Sequence, residues 1–287
     1  MVETIGFIGA GKVGTALAVL LSRHGYKVVS VYDQDTAAAN NMAIQIIGCQ
    51  VADTPNQTAN AARMVFITTP DSIIPVIAES VKWRQGQAVI HCSGADSTGI
   101  LEPAKAAGAD TGAFHPLQTF AGAKEAMENM PGSTFAIEAE DPLLTKLKKM
   151  AEDLGGSWII LDAEDKAAYH AAAVIASNYL VTLVKMATDL WNTFSVPPEK
   201  ATKALLPLIR GTIHNIETIG IPNCLTGPIA RGDSGTVLKH LDTISQKTPE
   251  LLTAYKALGM QTIPIAAAKK TIAKEQVKEL ESLLKVK

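Results

Sequence analysis

The sequence predicts an α/β fold, with a doubly wound, mainly parallel sheet over residues 1–162 and an all-α domain over residues 163–287. Three observations carry this expectation. Short apolar runs alternate with helix-period segments through the first half. Several of those runs are apolar at consecutive positions, as in parallel strands buried on both faces. From Asp162 onward only helix-period segments remain. A chain of 287 residues accommodates two domains of ordinary size.

The first element is a strand from Thr4 to Ile8. It leads into Gly9-Ala10-Gly11-Lys12-Val13-Gly14, an apolar helix, Gly25, a second strand from Lys27 to Tyr32, and Asp33. A lone G-x-G-x-x-G is weak evidence, but here it leaves a strand and opens a helix. Gly9 suits the tight turn, Gly11 lets backbone N–H groups approach a pyrophosphate, and Gly14 lets the helix pack closely on the sheet. The helix N-terminus then offers unpaired N–H groups and a positive dipole end to an anion. Asp33 lies about 20 residues past the last glycine, where a carboxylate accepts from ribose hydroxyls. The first domain is therefore expected to be Rossmann-like and to bind NAD or NADP. The charge of Asp33, followed by Gln34 and Asp35 with no Arg, favours NAD. Lys12, or a residue from elsewhere, leaves NADP open.

Next, Asp35 caps a helix running to Ile47, which Gly48 ends. A short strand follows at Cys49 to Ala52, and Thr54-Pro55 starts another helix. Met64 to Thr68 is a continuous apolar strand. It ends in Thr69-Pro70-Asp71, which adds Thr68, Thr69 and Pro70 to the expected cofactor contacts at the carboxyl edge of the sheet. Strands at Gln87 to Cys92 and Thr111 to Phe114 end in His91-Cys92-Ser93-Gly94 and in His115-Pro116-Leu117-Gln118-Thr119-Phe120. Ser133 to Glu138 and Trp158 to Leu161 flank a helix begun by Asp141-Pro142.

In the second domain, Lys166 to about Phe194 reads as one long helix and Pro198 to Ile219 as another, kinked at Pro207. Asp233 to Ile244 is a third, Thr248-Pro249 opens a fourth, and Lys274 to Leu284 is an amphipathic last helix. The long apolar central helix implies burial against a second copy, and hence a homodimer.

Composition narrows the partners. Net charge is −2 with 19% charged residues and no basic run, which excludes nucleic acid as an expected partner. Three scattered cysteines suggest neither a disulfide framework nor a zinc site, and no metal is expected. The opening Met-Val-Glu-Thr lacks the form of a secretory signal. The apolar stretch Ala171 to Val184 is shorter than the ~20 residues of a membrane span. A cytoplasmic protein without membrane association is the expectation.

Several side chains suit chemistry beside a nicotinamide. Lys166 and His170 are four apart and share a helical face, with Ser177 and Asn178 two turns on. Reduction of a carbonyl develops an alkoxide, to which a Lys of lowered pKa or an imidazole donates the proton, while Asn178 orients substrate. The structural alternative is a solvated Lys166, a core His170 and a buried contact at Asn178. In the loop Leu225-Thr226-Gly227-Pro228-Ile229-Ala230-Arg231-Gly232-Asp233, Arg231 offers a planar fork to a carboxylate, and Asp233 reads as a helix cap. The alternative pairs Arg231 with an acidic neighbour. His91, Ser93 and His115 lie at strand ends, where Ser93-Gly94 suits a substrate carboxylate. His24, His214 and His240 show no metal-ligand spacing.

Taken together, the glycine motif, His91-Cys92-Ser93-Gly94, Phe114 to Phe120, Tyr169-His170-Ala171-Ala172-Ala173 through Ser177-Asn178-Tyr179, and Leu225 to Asp233 resemble a bacterial family. Its members join a Rossmann-like domain to a C-terminal helical domain of long-uncharacterised function. That family is related to the 6-phosphogluconate and β-hydroxyacid dehydrogenases, the pyrroline-carboxylate reductases and the ketopantoate reductases, and includes PanG-type ketopantoate reductases. The resemblance implies that Lys166 is the proton donor to the carbonyl, that His170 replaces the usual Asn one turn later, and that Ser93 touches the substrate carboxylate. The expected function is an NAD(P)-dependent oxidoreductase reducing a small oxo acid, ketopantoate being the first candidate. The alternatives are an imine reductase of the pyrroline-carboxylate type and a non-catalytic dinucleotide-binding redox sensor.

Overall fold

A computed structural model describes residues 3–286, and the chain divides into two compact units, Met1–Ser177 and Asn178–Lys287. Among its described residues the first unit holds eight strands: β1 (Thr4–Ile8), β2 (Lys27–Tyr32), β3 (Gln50–Val51), β4 (Met64–Ile67), β5 (Ala88–His91), β6 (Asp110–Leu117), β7 (Thr134–Ala139) and β8 (Ser157–Ile160). They form one sheet in the order β3-β2-β1-β4-β5-β6-β7-β8. Every neighbouring pair is parallel except β6 with β7. The strand order reverses direction between β1 and β4, which makes the crevice at their carboxyl ends a topological switch point. This is the α/β fold the sequence predicts.

Helices cover both faces. On one lie α1 (Lys12–Arg23), α2 (Thr36–Ala43), α6 (Ala123–Asn129) and α7 (Leu143–Asp153), over a cluster that includes Phe7, Phe66, Ile90, Phe114 and Phe135. Its aromatic rings form a row across the strands. Phe7 stacks on Phe66 at 5.1 Å, Phe66 meets Phe114 edge-on at 6.2 Å, and Phe114 stacks on Phe135 at 4.6 Å. Each fully buried ring contributes about 1.5–3 kcal/mol relative to exposure. On the other face lie α3 (Pro55–Ala61), α4 (Ile74–Ser80) and α5 (Glu102–Ala106), against Ile8, Val65, Ile67 and Val89. Strand alternation therefore turns His91, His115 and Glu138 to this second face, because their neighbours Ile90, Phe114 and Ile137 belong to the first.

Local signals explain the boundaries. Asp35 caps α2 by accepting from Ala37 and Ala38 N–H at 2.9 and 3.2 Å, a cap worth about 1 kcal/mol. Thr54 accepts from Gln57 N–H ahead of Pro55. Four expectations need correction. The helix after Asp35 ends at Ala43, and the chain continues in turns to Gly48. The strand expected at Thr111 to Phe114 extends to Leu117, because antiparallel β7 pairs with it from Gly112 to Leu117. The helix expected from Lys166 to Phe194 is interrupted at Ser177 (φ −109°, ψ −65°), giving α8 (Lys166–Ala176) and α9 (Asn178–Asn192). The compact units divide there and not at residue 162, because Lys166 is buried beside Glu138 and keeps α8 with the sheet.

The second unit contains α9 with α10 (Pro198–Ile219), α11 (Ser234–Lys247), α12 (Leu252–Ala268) and α13 (Lys274–Leu284). Val237, Leu241, Ile263, Leu280 and Leu284 form its core. Pro207 lies inside α10. Val181 on α9 and Leu208 on α10 are 71% and 67% exposed, and Ile213, Ile216 and Ile219 are exposed as well. The helical run Ala163–Asn192 is 30 residues with a mean hydropathy of 1.4 over its most apolar window. By length and composition this run is long and apolar enough to cross a membrane, which the stretch Ala171 to Val184 alone is not, and it is interrupted at Ser177. Its first turn is nevertheless anchored in the sheet unit through Lys166.

Candidate functional site

The glycine loop follows β1, Asp33 follows β2 and Thr68 to Pro70 follow β4, so three adjacent parallel strands deliver them to one edge. A groove of about 250 Å³ there is lined by Gly9, Gly11, Asp33, Thr68, Thr69 and Pro70 among others. Gly9 has φ +111°, and a Cβ on it would lie 2.6 Å from the Thr68 carbonyl carbon. A Cβ on Gly14 would strike the Gly9 carbonyl oxygen and the Thr68 hydroxyl, which itself donates to Gly9 O at 2.6 Å. Among the described residues nothing lies within 4 Å of a Cβ built on Gly11, which faces open space at the mouth of α1. Gly11 is the N-cap of α1 and supplies no side-chain acceptor, so the first-turn N–H groups of Lys12 and Val13 stay available to an anion. The Asp33 carboxylate is fixed by two backbone donors, Ala10 N–H at 2.6 Å and Asp35 N–H at 2.9 Å. Thr69 Oγ1 is buried with no hydrogen-bond partner among the described residues. This donor set, open at Gly11 and carrying an orphaned hydroxyl, fits a dinucleotide.

A second cluster lies at the carboxyl end of β5. His91, Ala113 and Glu138 are level with one another across β5, β6 and β7. Lys166, from the start of α8, is 1% exposed with Nζ 3.5 Å from Glu138 Oε2. Burial depresses the Lys166 pKa, and the Glu138 carboxylate opposes that shift without cancelling it. The other Glu138 oxygen accepts from the Thr98 N–H and hydroxyl at 3.1 and 2.7 Å. His91, wholly buried and close to the Lys166 charge, is held down to about 4. Burial pushes the Cys92 thiol up to about 12.

His115 and His170 meet over Gly94. A Cβ on Gly94 would lie 2.8 Å from His115 Nε2 and 2.9 Å from His170 Nδ1, so the glycine leaves a notch with two ring nitrogens on its rim. His115 Nδ1 pairs with the Tyr169 hydroxyl at 2.8 Å, and His170 Nδ1 is buried without a partner among the described residues. Burial, then the neighbouring His170 and Lys166, hold His115 down to about 4. Both ring nitrogens therefore crowd the same point above Gly94.

The structure brings Lys166, His170, His115, His91 and Gly94 together in the first unit. Ser93 is placed differently from the sequence expectation. It is 2% exposed, its hydroxyl donates to Asp96 Oδ2 at 3.0 Å, and the same oxygen accepts from Ala95 and Asp96 N–H. Its polar capacity is spent on a turn, so it shapes the loop before Gly94 and does not present a free hydroxyl. Asn178 and Arg231 belong to the second unit and are both exposed. Arg231 sits in a single 3-10 turn, and Asp233 caps α11 by accepting from Thr236 N–H at 2.9 Å and its hydroxyl at 2.6 Å. Sequence reasoning missed Glu138 and Tyr169. Strand alternation alone places Glu138 on the face of His91, but its level with His91 depends on the antiparallel pairing of β7.

Residues 2–116 match the model of a Rossmann-like domain, and residues 133–262 match a domain of unknown function, DUF2520. The chain is similar in structure to a Bacteroides fragilis protein provisionally named an NADP oxidoreductase, at 24% identity, a TM-score of 0.72, and 91% and 98% coverage of this chain and that one. It is similar to a Thermotoga maritima protein at 23% identity and a TM-score of 0.74, covering 93% and 99%. An imine reductase from Myxococcus stipitatus in complex with NADP+ matches at 14% identity and a TM-score of 0.65, covering 96% and 99%. These likenesses are of fold. Comparison with the curated proteins returns no match.

Proposed function

We propose that this chain is an NAD(P)-dependent oxidoreductase that reduces the carbonyl or imine of a small molecule, with Lys166 as proton donor. One observation carries the reading. A groove of dinucleotide type at the carboxyl ends of β2, β1 and β4 shares its sheet with a buried amine beside the end of β5. A bound nicotinamide supplies the hydride; the protein binds, orients and moves the proton. An amine whose charged form is disfavoured by burial gives up its proton readily as an alkoxide develops. His115 and His170 are the polar groups that would hold the reacting oxygen, since the Ser93 hydroxyl is engaged elsewhere.

A small oxo acid, ketopantoate first, is the substrate class this donor suits. Cyclic imines are the competing class, favoured by the shared fold of the imine reductases. The fixed carboxylate of Asp33 supports NADH over NADPH through repulsion of a 2′-phosphate. A second copy is the proposed cover for the exposed apolar residues of α9 and α10.

The test is oxidation of NADH and NADPH with ketopantoate, related oxo acids and pyrroline-carboxylate, by wild type and Lys166→Ala. Saturable turnover of an oxo acid, lost in the variant, supports the reading. Retention of most imine reduction in the variant would transfer it to the imine class. Tight cofactor binding without turnover of either class would favour a redox sensor.

A further inference from the structure

We propose that Glu138 is a proton relay that recharges Lys166 from a solvent cavity separate from the dinucleotide groove. The inference rests on Lys166 as proton donor. A donor that is 1% exposed must regain a proton after each turnover, and Lys166 Nζ has no hydrogen-bond partner among the described residues.

Glu138 lies beside Nζ and also lines the cavity. Its Oε1 is anchored by Thr98, which leaves Oε2 without a hydrogen bond and 3.5 Å from Nζ. Glu138 and Thr98 also line a cavity of about 290 Å³, together with Asp110, Glu140, Asp141 and Asp162. Liquid water occupies about 30 Å³ per molecule, so this space holds several. The cavity shares no lining residue with the groove at Gly9 and Asp33, and Lys166 itself does not line it.

The other groups around Lys166 are poorly suited to the task. His91 Nδ1 accepts from Ser93 N–H, and burial opposes a second proton on that ring. Burial keeps the Cys92 thiol protonated. Asp96 Oδ2 accepts from the Ser93 hydroxyl.

The step balances as two proton transfers with no redox change. An acid in the cavity, hydronium or a buffer acid, loses a proton to a Glu138 carboxylate oxygen and leaves its conjugate base. That O–H bond then breaks as the lone pair of neutral Nζ takes the proton, restoring carboxylate and giving the ammonium.

The test reads the relay apart from catalysis, as exchange of the Lys166 Nζ protons with water in 15N-lysine-labelled protein. Wild type is compared with Glu138→Gln, Glu138→Asp and Glu138→Ala, each checked for folding by thermal unfolding. Exchange is expected to slow by about tenfold or more in the Gln variant. It should slow in the Asp variant, which withdraws the carboxyl from Nζ. Added formate should restore it saturably in the Ala variant, where the cavity gains room, and not in the Gln variant. Exchange within about twofold of wild type in every variant, by the same scale, would overturn the relay. A structural role for Glu138 predicts no formate rescue. Lys166→Ala turnover tests the donor assignment separately, so a failure of that reading and a failure of the relay are distinguishable.

Discussion

His91 Nδ1 accepts the backbone N–H of Ser93 at 3.1 Å, which leaves the proton of the neutral ring on Nε2. The bond ties the imidazole to the loop before Gly94 and holds it uncharged. His115, on the next strand, is likewise kept neutral. Both rings lie near 4 in the folded protein against 6.5 ordinarily. The unfolded chain therefore binds more protons between those values, so stability is complete above pH 6.5 and falls as pH drops towards 4. Each ring contributes a slope of up to ~1.4 kcal/mol per pH unit in that window. Urea unfolding from pH 7.5 to 4.5 measures it, and His115→Gln should flatten the curve. An unchanged slope would remove His115 from the account.

Gly11→Ala and Gly14→Ala should separate binding from folding. Alanine at Gly11 meets nothing within 4 Å, so thermal stability should stay near wild type while cofactor affinity falls by about tenfold or more, from loss of close backbone approach. Alanine at Gly14 meets backbone and the Thr68 hydroxyl, and should cost about 1–3 kcal/mol of stability as well. Calorimetric binding of NADH beside thermal melts distinguishes the two.

Asp33→Ser removes a fixed negative charge and leaves a smaller acceptor beside Ala10 N–H. The ratio of NADPH to NADH affinity is expected to rise on the order of tenfold. An unchanged ratio would place coenzyme choice on other residues.

Gly94→Ala fills the notch between His115 and His170. Cofactor affinity should hold while kcat/KM for the substrate falls by about tenfold or more, because the two rings must move apart. Equal loss of cofactor binding would instead mean that the whole loop has shifted.

Leu208→Glu on α10 introduces a charge at a position 67% exposed in the single chain. Sedimentation should show wild type as a dimer and the variant shifted towards monomer, with monomeric wild type the contrary result.

Much of the first unit was legible in its sequence. Continuous apolar runs and glycine punctuation marked all eight strands, and Asp35, Thr54 and Asp233 behave as the caps their types suggest. Register was not legible. Glu138 was visible as a strand end, but nothing local says that β7 runs against β6 and comes level with His91. Ser93 misled for a different reason. A hydroxyl after a strand suits a ligand and a turn equally well, and Asp96 three residues on claims it. The break at Ser177 was hidden because the alanine-rich sequence before it and the apolar sequence after it share one helical period.

The reversed strand also limits how this chain can change. The segment 118–133 joins the far ends of β6 and β7, where their pairing begins at Leu117 and Thr134; its helix α6 packs into the core, but residues can be added at the exposed Ala121 ahead of that helix without moving Glu138 relative to Ala113. A slip of one residue within Thr134–Ala139 is another matter. It would turn the carboxylate onto the face of Phe114 and Phe135, leaving Lys166 buried beside an apolar side chain. Variation in this chain is therefore cheap in the length of one connection and costly in the phase of one strand.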